Sequence, residues 1–395
     1  MKVLHVFDVY LPSTLSWVDQ LLQHTPASVG IGASWTIQGP FLRSGYSYYP
    51  NPMQQWLFRR FPNEFEHPQW YYRISGAQQY LGFYPRWLSA WLKQAPPDVI
   101  HAHFGPVGCL HLGLARRLKR PLVVSFYGFD YTKVPVRKPK YRVLYRRLFA
   151  EASAVISCSR DEGVKRLIEL GCPLHKIHCI SPGIAPEAFR FQERIKPANT
   201  LRLVQPATVT PKKGHRTTIE ALALAVPTCP GIHVTFAGEE PDAGYKAGLL
   251  ALARAKQVDG HISWHGFVPH RDMPAFLSGF DAVVHPSCHA PDGDHETTPV
   301  ILLEAQAVGL PVLATRHWDI PYEVVHGETG MLCAENDALG LASHMQTLYR
   351  MDLGAFAAMS RNARAHVERA FHVADSARQV MGVYAGVVGV GVADL

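Results

Sequence analysis

HPSCHAPDGDHETTPVILLEAQAVG, residues 285–309, joins two short apolar stretches, DAVVHPS at 281–287 and PVLAT at 311–315. A polar loop in its first half gives way to the apolar run Val300 to Leu303, so the segment reads as strand, loop, buried helix, strand. Two strands joined through a helix lie parallel in one sheet. Pro299 suits a first helical position, because its missing N–H would have no partner there, and Thr298 is then the N-cap. The helix is expected to stop near Gly309. Its positive end and free amides would lie beside Glu296, where an anion is favoured. Glu304, eight positions after Glu296, would sit roughly 7–8 Å behind that end at 1.5 Å per residue. Two carboxylates bracketing an amide cluster match an elongated ligand with hydroxyls at both ends and a phosphate in the middle.

The same alternation runs outward from this unit. LRLVQPA (201–207), HVTFAG (233–238) and HISWHG (261–266) read as strands, with helices at 215–224, 245–255 and 273–280 between them. Earlier in the chain, strands are expected at 3–9, 98–103, 121–126 and 154–159, with helices at 17–23, 109–118 and 161–171. Between the two series the polar stretch 188–200 lacks periodicity and reads as a linker. Regular alternation implies parallel sheets in both halves. The expected fold is α/β, two doubly wound Rossmann-like domains facing across a cleft: 1–190, 200–370, and a C-terminal helix and tail, 371–395, free to cross back onto the first. The loop after the first strand, with Ser13 and Thr14, is of the kind that presents backbone to ligands in such sheets.

A chain of 395 residues exceeds the usual size of a single core. Its 47% hydrophobic and 18% charged residues describe an ordinary folded protein. Seven scattered cysteines without a C-x-x-C pair favour reduced thiols and a cytoplasmic setting. The N-terminus is broken by Asp8 and Pro12 and reads as a strand, not a signal peptide. No uncharged apolar window approaches the length of a membrane span. Trp56, Trp70, Trp87 and Trp91, interleaved with tyrosines and with Arg59, Arg60 and Arg73, mark an aromatic-rich insertion that either packs on itself or meets a glycan or membrane. Residues 133–147 carry seven Lys or Arg among Tyr141, Val143 and Leu144. That pattern suits either a solvated helix face or an anionic membrane surface. No nucleic-acid recognition module accompanies the charge of +7.

Two attractive motifs are set aside. His285, Cys288, His289, Asp292, Asp294 and His295 are metal-ligating types, but their spacing matches no closed site, so no metal is expected. GVVGVG at 386–391 has dinucleotide-like glycines, but too little chain follows it to form the required helix.

Several segments in fixed order carry a more specific likeness: HAHFGP, SFYGFD, GCPLHKIHCISPGI, TPKKGHRTTIEALA, VTFAGEEP, HGFVPHRDMPAFLSGFDAVVHPS, HETTPVILLEAQAVGLPVLAT and IPYEVVHGETGML. Together, over residues 98–370, they resemble the GT-B retaining glycosyltransferases of family 4, in particular those building bacterial exopolysaccharides such as colanic acid or amylovoran. The resemblance implies transfer of a hexose from a nucleoside-diphosphate sugar to a hydroxyl of a growing, lipid-linked oligosaccharide at the inner face of the cytoplasmic membrane. It implies no cofactor or metal, and the leaving phosphate oxygen would take the acceptor proton. Glu296 would hold the sugar hydroxyls, with Thr297, Thr298, Pro299 and Val300 lining the donor. Glu304 would hold the ribose, Lys213 the pyrophosphate, and the backbone of Phe267 and Val268 the base.

The chain departs from the family pattern at three places. Thr208 stands where an arginine usually precedes the lysine by five positions, leaving Lys212, Arg216 or Arg316 as candidates for the second cation. Tyr127 replaces a frequent histidine, which makes His103 the next catalytic candidate and Asp130 a partner in the same loop. Tyr322 displaces Glu323 from the place directly after proline that the family glutamate usually takes. These departures keep two other readings open: a nucleotide-sugar epimerase of the same fold, and a catalytically silent subunit of a polysaccharide assembly. Donor hydrolysis separates an enzyme from a silent subunit.

Overall fold

A computed structural model of the chain describes residues 1–9, 15–36, 42–50, 92, 96–291 and 293–391. Ser13, Thr14, Asp292 and the aromatic insertion from Trp56 to Trp91 lie outside the described residues. The chain divides into two units, residues 1–182 with 373–395, and residues 183–372.

The first unit is built on β1 (Lys2–Val9), β2 (Ser28–Thr36), β3 (Ser47–Pro50), β4 (Val99–His103), β5 (Leu122–Phe126), β6 (Ala154–Ser157) and β7 (Ile177–Cys179). All pair in parallel, in the order β3-β2-β1-β4-β5-β6-β7. The runs VIHAH and LVVSF are buried throughout, as strands covered on both faces must be. The connecting helices are α1 (Ser16–His24), α2 (Gly105–Leu118), α3 (Lys140–Glu151) and α4 (Asp161–Glu169). The basic segment is therefore not one helix: Pro135 and Pro139 divide it into single turns, Phe129–Thr132 and Val134–Arg137, ahead of α3. Its aromatics also turn inward. Tyr141 and Tyr145 are buried, and Tyr145 packs edge-on against Phe126.

The second unit contains β8 (Leu201–Pro206), α5 (His215–Ala225), β9 (Ile232–Ala237), α6 (Ala243–Ala255), β10 (Ile262–Trp264) and α7 (Met273–Ser278). It continues through β11 (Ala282–His285), α8 (Val300–Ala307), β12 (Val312–Thr315), β13 (Gly330–Cys333), α9 (Ala338–Arg350) and α10 (Leu353–Ala370). Its six parallel strands run β10-β9-β8-β11-β12-β13, with the order reversing between β8 and β11.

Residues 188–200 are not the linker their polarity suggests; the boundary falls at 182/183 and the stretch is fastened to the second unit. Arg194 donates to the carbonyls of Ser278 (2.8 Å) and Val308 (3.1 Å), and Lys196 donates to that of Tyr349 (2.7 Å). These carbonyls belong to the last turns of α7, α8 and α9, where the helix leaves acceptors unpaired and favours cations. The final helix, α11 (Val373–Val388), belongs to the first unit. There Val380, Met381, Val383 and Tyr384 pack against Val3, Val99, Val123 and Ile156.

Candidate active site

Where strand order reverses in an open parallel sheet, the loops at the carboxyl ends of adjacent strands form a crevice. In the second unit those loops are 207–214, after β8, and 286–299, after β11. They touch at Gly214, where φ is +69° and an added Cβ would lie 1.9 Å from the Pro286 carbonyl oxygen, so only glycine fits. The Cys288 N–H donates to Lys212 O (2.9 Å), and Gln205 Nε2 donates to Lys213 O (2.6 Å). Gln205 is itself held by the Thr218 hydroxyl at 2.7 Å. The lysine loop is thus fixed through its backbone, which leaves both side chains to do other work.

Lys213 Nζ meets Glu296 Oε2 in a direct ion pair. Lys212 Nζ lies 3.4 Å from Asp294 Oδ1. Burial, then the neighbouring charge of Lys212, pulls the Lys213 ammonium down to about 7. The fully buried His285 lies with Nε2 4.0 Å from Glu296 Oε2, and neither of its ring nitrogens has a hydrogen-bond partner. Both ring nitrogens of the equally buried His215 are also unpartnered. Burial is the main force holding both imidazoles below their ordinary range. Partnerless buried nitrogens beside an ion pair mark a place that a polar ligand can complete.

α8 starts one residue later than the proline rule suggests. Pro299 occupies the capping position, where it makes no side-chain cap bond, and the Thr298 hydroxyl donates to Asp319 Oδ2 at 3.4 Å. The buried Thr297 accepts the Asp319 N–H through its carbonyl (3.3 Å). At the other end, Gly309 has φ +91°, with Gly309 N donating to Gln306 O (3.0 Å) and Leu310 N to Ala305 O (2.9 Å), a Schellman closure. Glu304 is 4% exposed among fully buried Leu302, Leu303, Ala305 and Ala307. Its Oε1 lies 2.9 Å from His270 Nε2. That partner follows HGFVP directly, a position at which sequence reasoning stopped one residue short. Phe267 is exposed, and Val268 is buried in the core with Leu277 and Leu302.

Of the three candidate second cations, Lys212 sits beside Lys213, whereas Arg216 is paired with Glu220 (2.9 Å) on the exposed face of α5. Arg316 is exposed beyond β12. Glu323, on the turn Ile320–Glu323, is buried, and its charge with that of Asp294 favours the Lys213 ammonium. Three of the metal-type residues turn to other partners, Cys288 Sγ to Pro211 O (3.5 Å), Asp294 to Lys212 and His285 to Glu296, whereas His289 and His295 lie with ring centroids 5.0 Å apart.

The remaining candidates lie in the first unit. His103, fully buried, stacks on Phe7 and contacts Tyr127 Oη through Nδ1 (2.5 Å) and His5 Nδ1 through Nε2 (3.0 Å). Burial holds its pKa well below the ordinary histidine range. Asp130 accepts N–H groups from Gly105 (2.9 Å), Tyr127 (3.0 Å) and Gly128 (3.1 Å). Both of its oxygens are thus engaged in joining the start of α2 to the loop after β5. Burial pushes its carboxyl up to about 6 against those donors.

The two units each hold one parallel Rossmann-like sheet, and a lysine and two carboxylates gather where the strand order of the second reverses. Family models match both parts of the chain, "Glycosyl transferases group 1" over residues 187–366 and "Glycosyl transferase 4-like domain" over 57–183. The "Putative colanic acid biosynthesis glycosyltransferase WcaL" of Escherichia coli (strain K12) is 31% identical, over 70% of this chain and 67% of its own. The amylovoran biosynthesis glycosyltransferase AmsK of Erwinia amylovora is also 31% identical, over 77% of this chain and 74% of its own. Among solved structures, Anabaena HepE in complex with UDP and glucose superimposes with a TM-score of 0.72 at 19% identity, covering 97% of this chain and 98% of that one. The chain belongs to the group 1 glycosyltransferases, and its fold is GT-B.

Proposed function

We propose that this enzyme transfers a hexose, with retention, from a nucleoside-diphosphate sugar to a hydroxyl of a growing lipid-linked oligosaccharide in exopolysaccharide or cell-surface glycan synthesis. The observation that carries the reading is the meeting of Lys213 and Glu296 at the switch point, with Glu304 buried behind them on α8. A diphosphate would take over the Lys213 ammonium and release Glu296 to accept from sugar hydroxyls. Lys212 supplies the second cation in place of the missing arginine. Glu304 exchanges His270 for the two ribose hydroxyls, which a carboxylate accepts together. As the sugar C1–O bond to the β-phosphate breaks and the acceptor oxygen bonds to C1 on the same face, the acceptor proton passes to the departing phosphate oxygen. The balance needs neither a metal nor a protein nucleophile. The names of the two curated relatives support the polysaccharide setting, and the UDP complex of HepE supports a uridine donor.

A thermal-shift panel of UDP-, GDP- and ADP-hexoses tests this directly. One base is expected to raise Tm, since a ligand of the native state stabilises with its occupancy. Slow hydrolysis of that donor should accompany it; a panel with neither binding nor hydrolysis overturns the transferase reading in favour of a silent subunit. Release of an epimerised sugar would favour the epimerase.

No helix among the described residues is long and apolar enough to cross a membrane. Contact with an anionic inner membrane surface is proposed instead through α3, whose outer side exposes Arg142, Arg146 and Arg147 around Val143, itself 71% exposed. Reversing the three arginines to glutamate should weaken binding to anionic vesicles by about 100-fold or more, taking about 1 kcal/mol per charge. Unchanged sedimentation with vesicles would refute the contact.

A further inference from the structure

The second unit brings together three side chains that lie far apart in the sequence. His289 follows β11, His317 lies two residues beyond β12, and Glu335 two beyond β13. Because β11, β12 and β13 are consecutive neighbours, their carboxyl ends deliver all three to one spot. One ligand-type atom from each lies within 4.8 Å of the other two. Only His289 belongs to the group that sequence spacing singled out.

The hydrogen bonds around His317 do not close with a neutral ring. Its Nε2 lies 3.0 Å from the Glu296 carbonyl oxygen, and its Nδ1 lies 2.6 Å from Glu335 Oε1. Both neighbours are acceptors, while a neutral imidazole has a single N–H. The Glu296 carbonyl claims that proton at Nε2. Nδ1 then points a lone pair at a carboxylate, a contact that either a second ring proton or a metal ion between them closes.

Two further imidazoles face the same place. His289 Nδ1 lies 3.0 Å from Glu335 Oε2. Its Nε2 accepts from Trp318 Nε1 at 3.4 Å, a long hydrogen bond that would give way when the ring proton moves to Nε2 and frees Nδ1. His295, with its ring centroid 5.0 Å from that of His289, gives its Nδ1 proton to Gly293 O (3.1 Å). That leaves a lone pair on Nε2, which is buried and has no partner.

We propose that His289, His317 and Glu335, with His295 as an adjacent fourth donor, bind a divalent transition-metal ion of the zinc class. Imidazoles with one carboxylate suit Zn²⁺, Co²⁺ or Ni²⁺, and do not suit Mg²⁺ or Ca²⁺, which take oxygen. The ion would act on the donor pocket through one bond. With Nδ1 metallated, His317 keeps its proton on Nε2 and holds the Glu296 backbone, as an outer partner does in metal sites generally. This coupling rests on the donor role of Glu296; the binding of the ion does not.

The test is titration of the untagged full-length protein with Zn²⁺, followed by calorimetry, and with Co²⁺, followed by visible absorption. A single equivalent should bind, with the intense visible bands of four-coordinate cobalt, and excess Mg²⁺ should not displace it. His289→Gln, at a half-exposed position, and Glu335→Gln should each weaken binding by at least ~10-fold. Comparable thermal melts without metal would establish that the variants are folded. Wild-type affinity in either folded variant, or no stoichiometric binding to the wild type, overturns the site. A separate measurement of UDP affinity with and without Zn²⁺ reads the coupling; if the ion binds and UDP affinity does not change, the site stands and its link to Glu296 fails.

Discussion

Lys213→Met is expected to lower kcat/KM for the donor by roughly 10²–10³, the range seen when one donor to a developing negative charge is removed. Lys213 is the cation that meets Glu296 at the floor of the crevice, so its loss strips charge from the departing diphosphate and leaves the carboxylate uncompensated. A pH series strengthens the test. With the free ammonium near 7, the donor-free site is charged below that pH and increasingly neutral above it. A bound pyrophosphate raises this pKa, so affinity for a nucleotide sugar should be flat below about pH 7 and fall above it, by up to about tenfold per unit. A nucleotide sugar is the right probe because its pyrophosphate diester has no ionisation of its own in this range. Lys213→Met should abolish the slope; a slope that persists would assign the titration elsewhere. For folding the sign is opposite. The unfolded lysine keeps its proton up to 10.5, so stability from this group rises with pH between about 7 and that value.

Glu304→Ala should weaken nucleotide binding itself by roughly 10–100-fold, the equivalent of about 1.5–3 kcal/mol for hydrogen bonds to a charged group. The effect should appear equally with a nucleoside diphosphate and with the full sugar donor, because the ribose is common to both. Glu304→Gln, which keeps one acceptor oxygen, should fall between. Isothermal titration with UDP, or with whichever diphosphate the thermal-shift panel selects, provides the measurement. An unchanged affinity in Glu304→Ala would remove the ribose assignment and return this carboxylate to a purely local role with His270.

The two sheets, and the gathering of Lys213, Glu296 and Glu304 near one reversal of strand order, were legible because their signals are local. Buried parallel strands show as apolar runs, and Lys213, Glu296 and Glu304 sit at loop and helix positions set by Gly214, Pro299 and Gly309. Pro299 and Thr298 show the limit of such rules, since the hydroxyl expected to cap α8 is occupied by Asp319, more than twenty positions away. The stretch 188–200 fails for a related reason. Arg194 and Lys196 look like solvated charges until the helix ends they serve are assembled. The pairing of His270 with Glu304 and the meeting of His289 with His317 and Glu335 could not be read, because parallel sheets bring together strand ends separated by a whole helix. Asp130 was recognised as belonging to its loop, but its engagement with three backbone amides needed coordinates.

The return of α11 to the first unit gives synthesis of this protein a direction. The second unit is complete once His372 has left the ribosome, while the sheet begun at Lys2 still lacks the helix that carries Tyr384 to His101, 283 positions later. The domain translated first is therefore finished last. Until then the apolar face formed by Val3, Val99, Val123 and Ile156 lacks its final cover, and transiently exposed apolar surface of that kind is prone to aggregation.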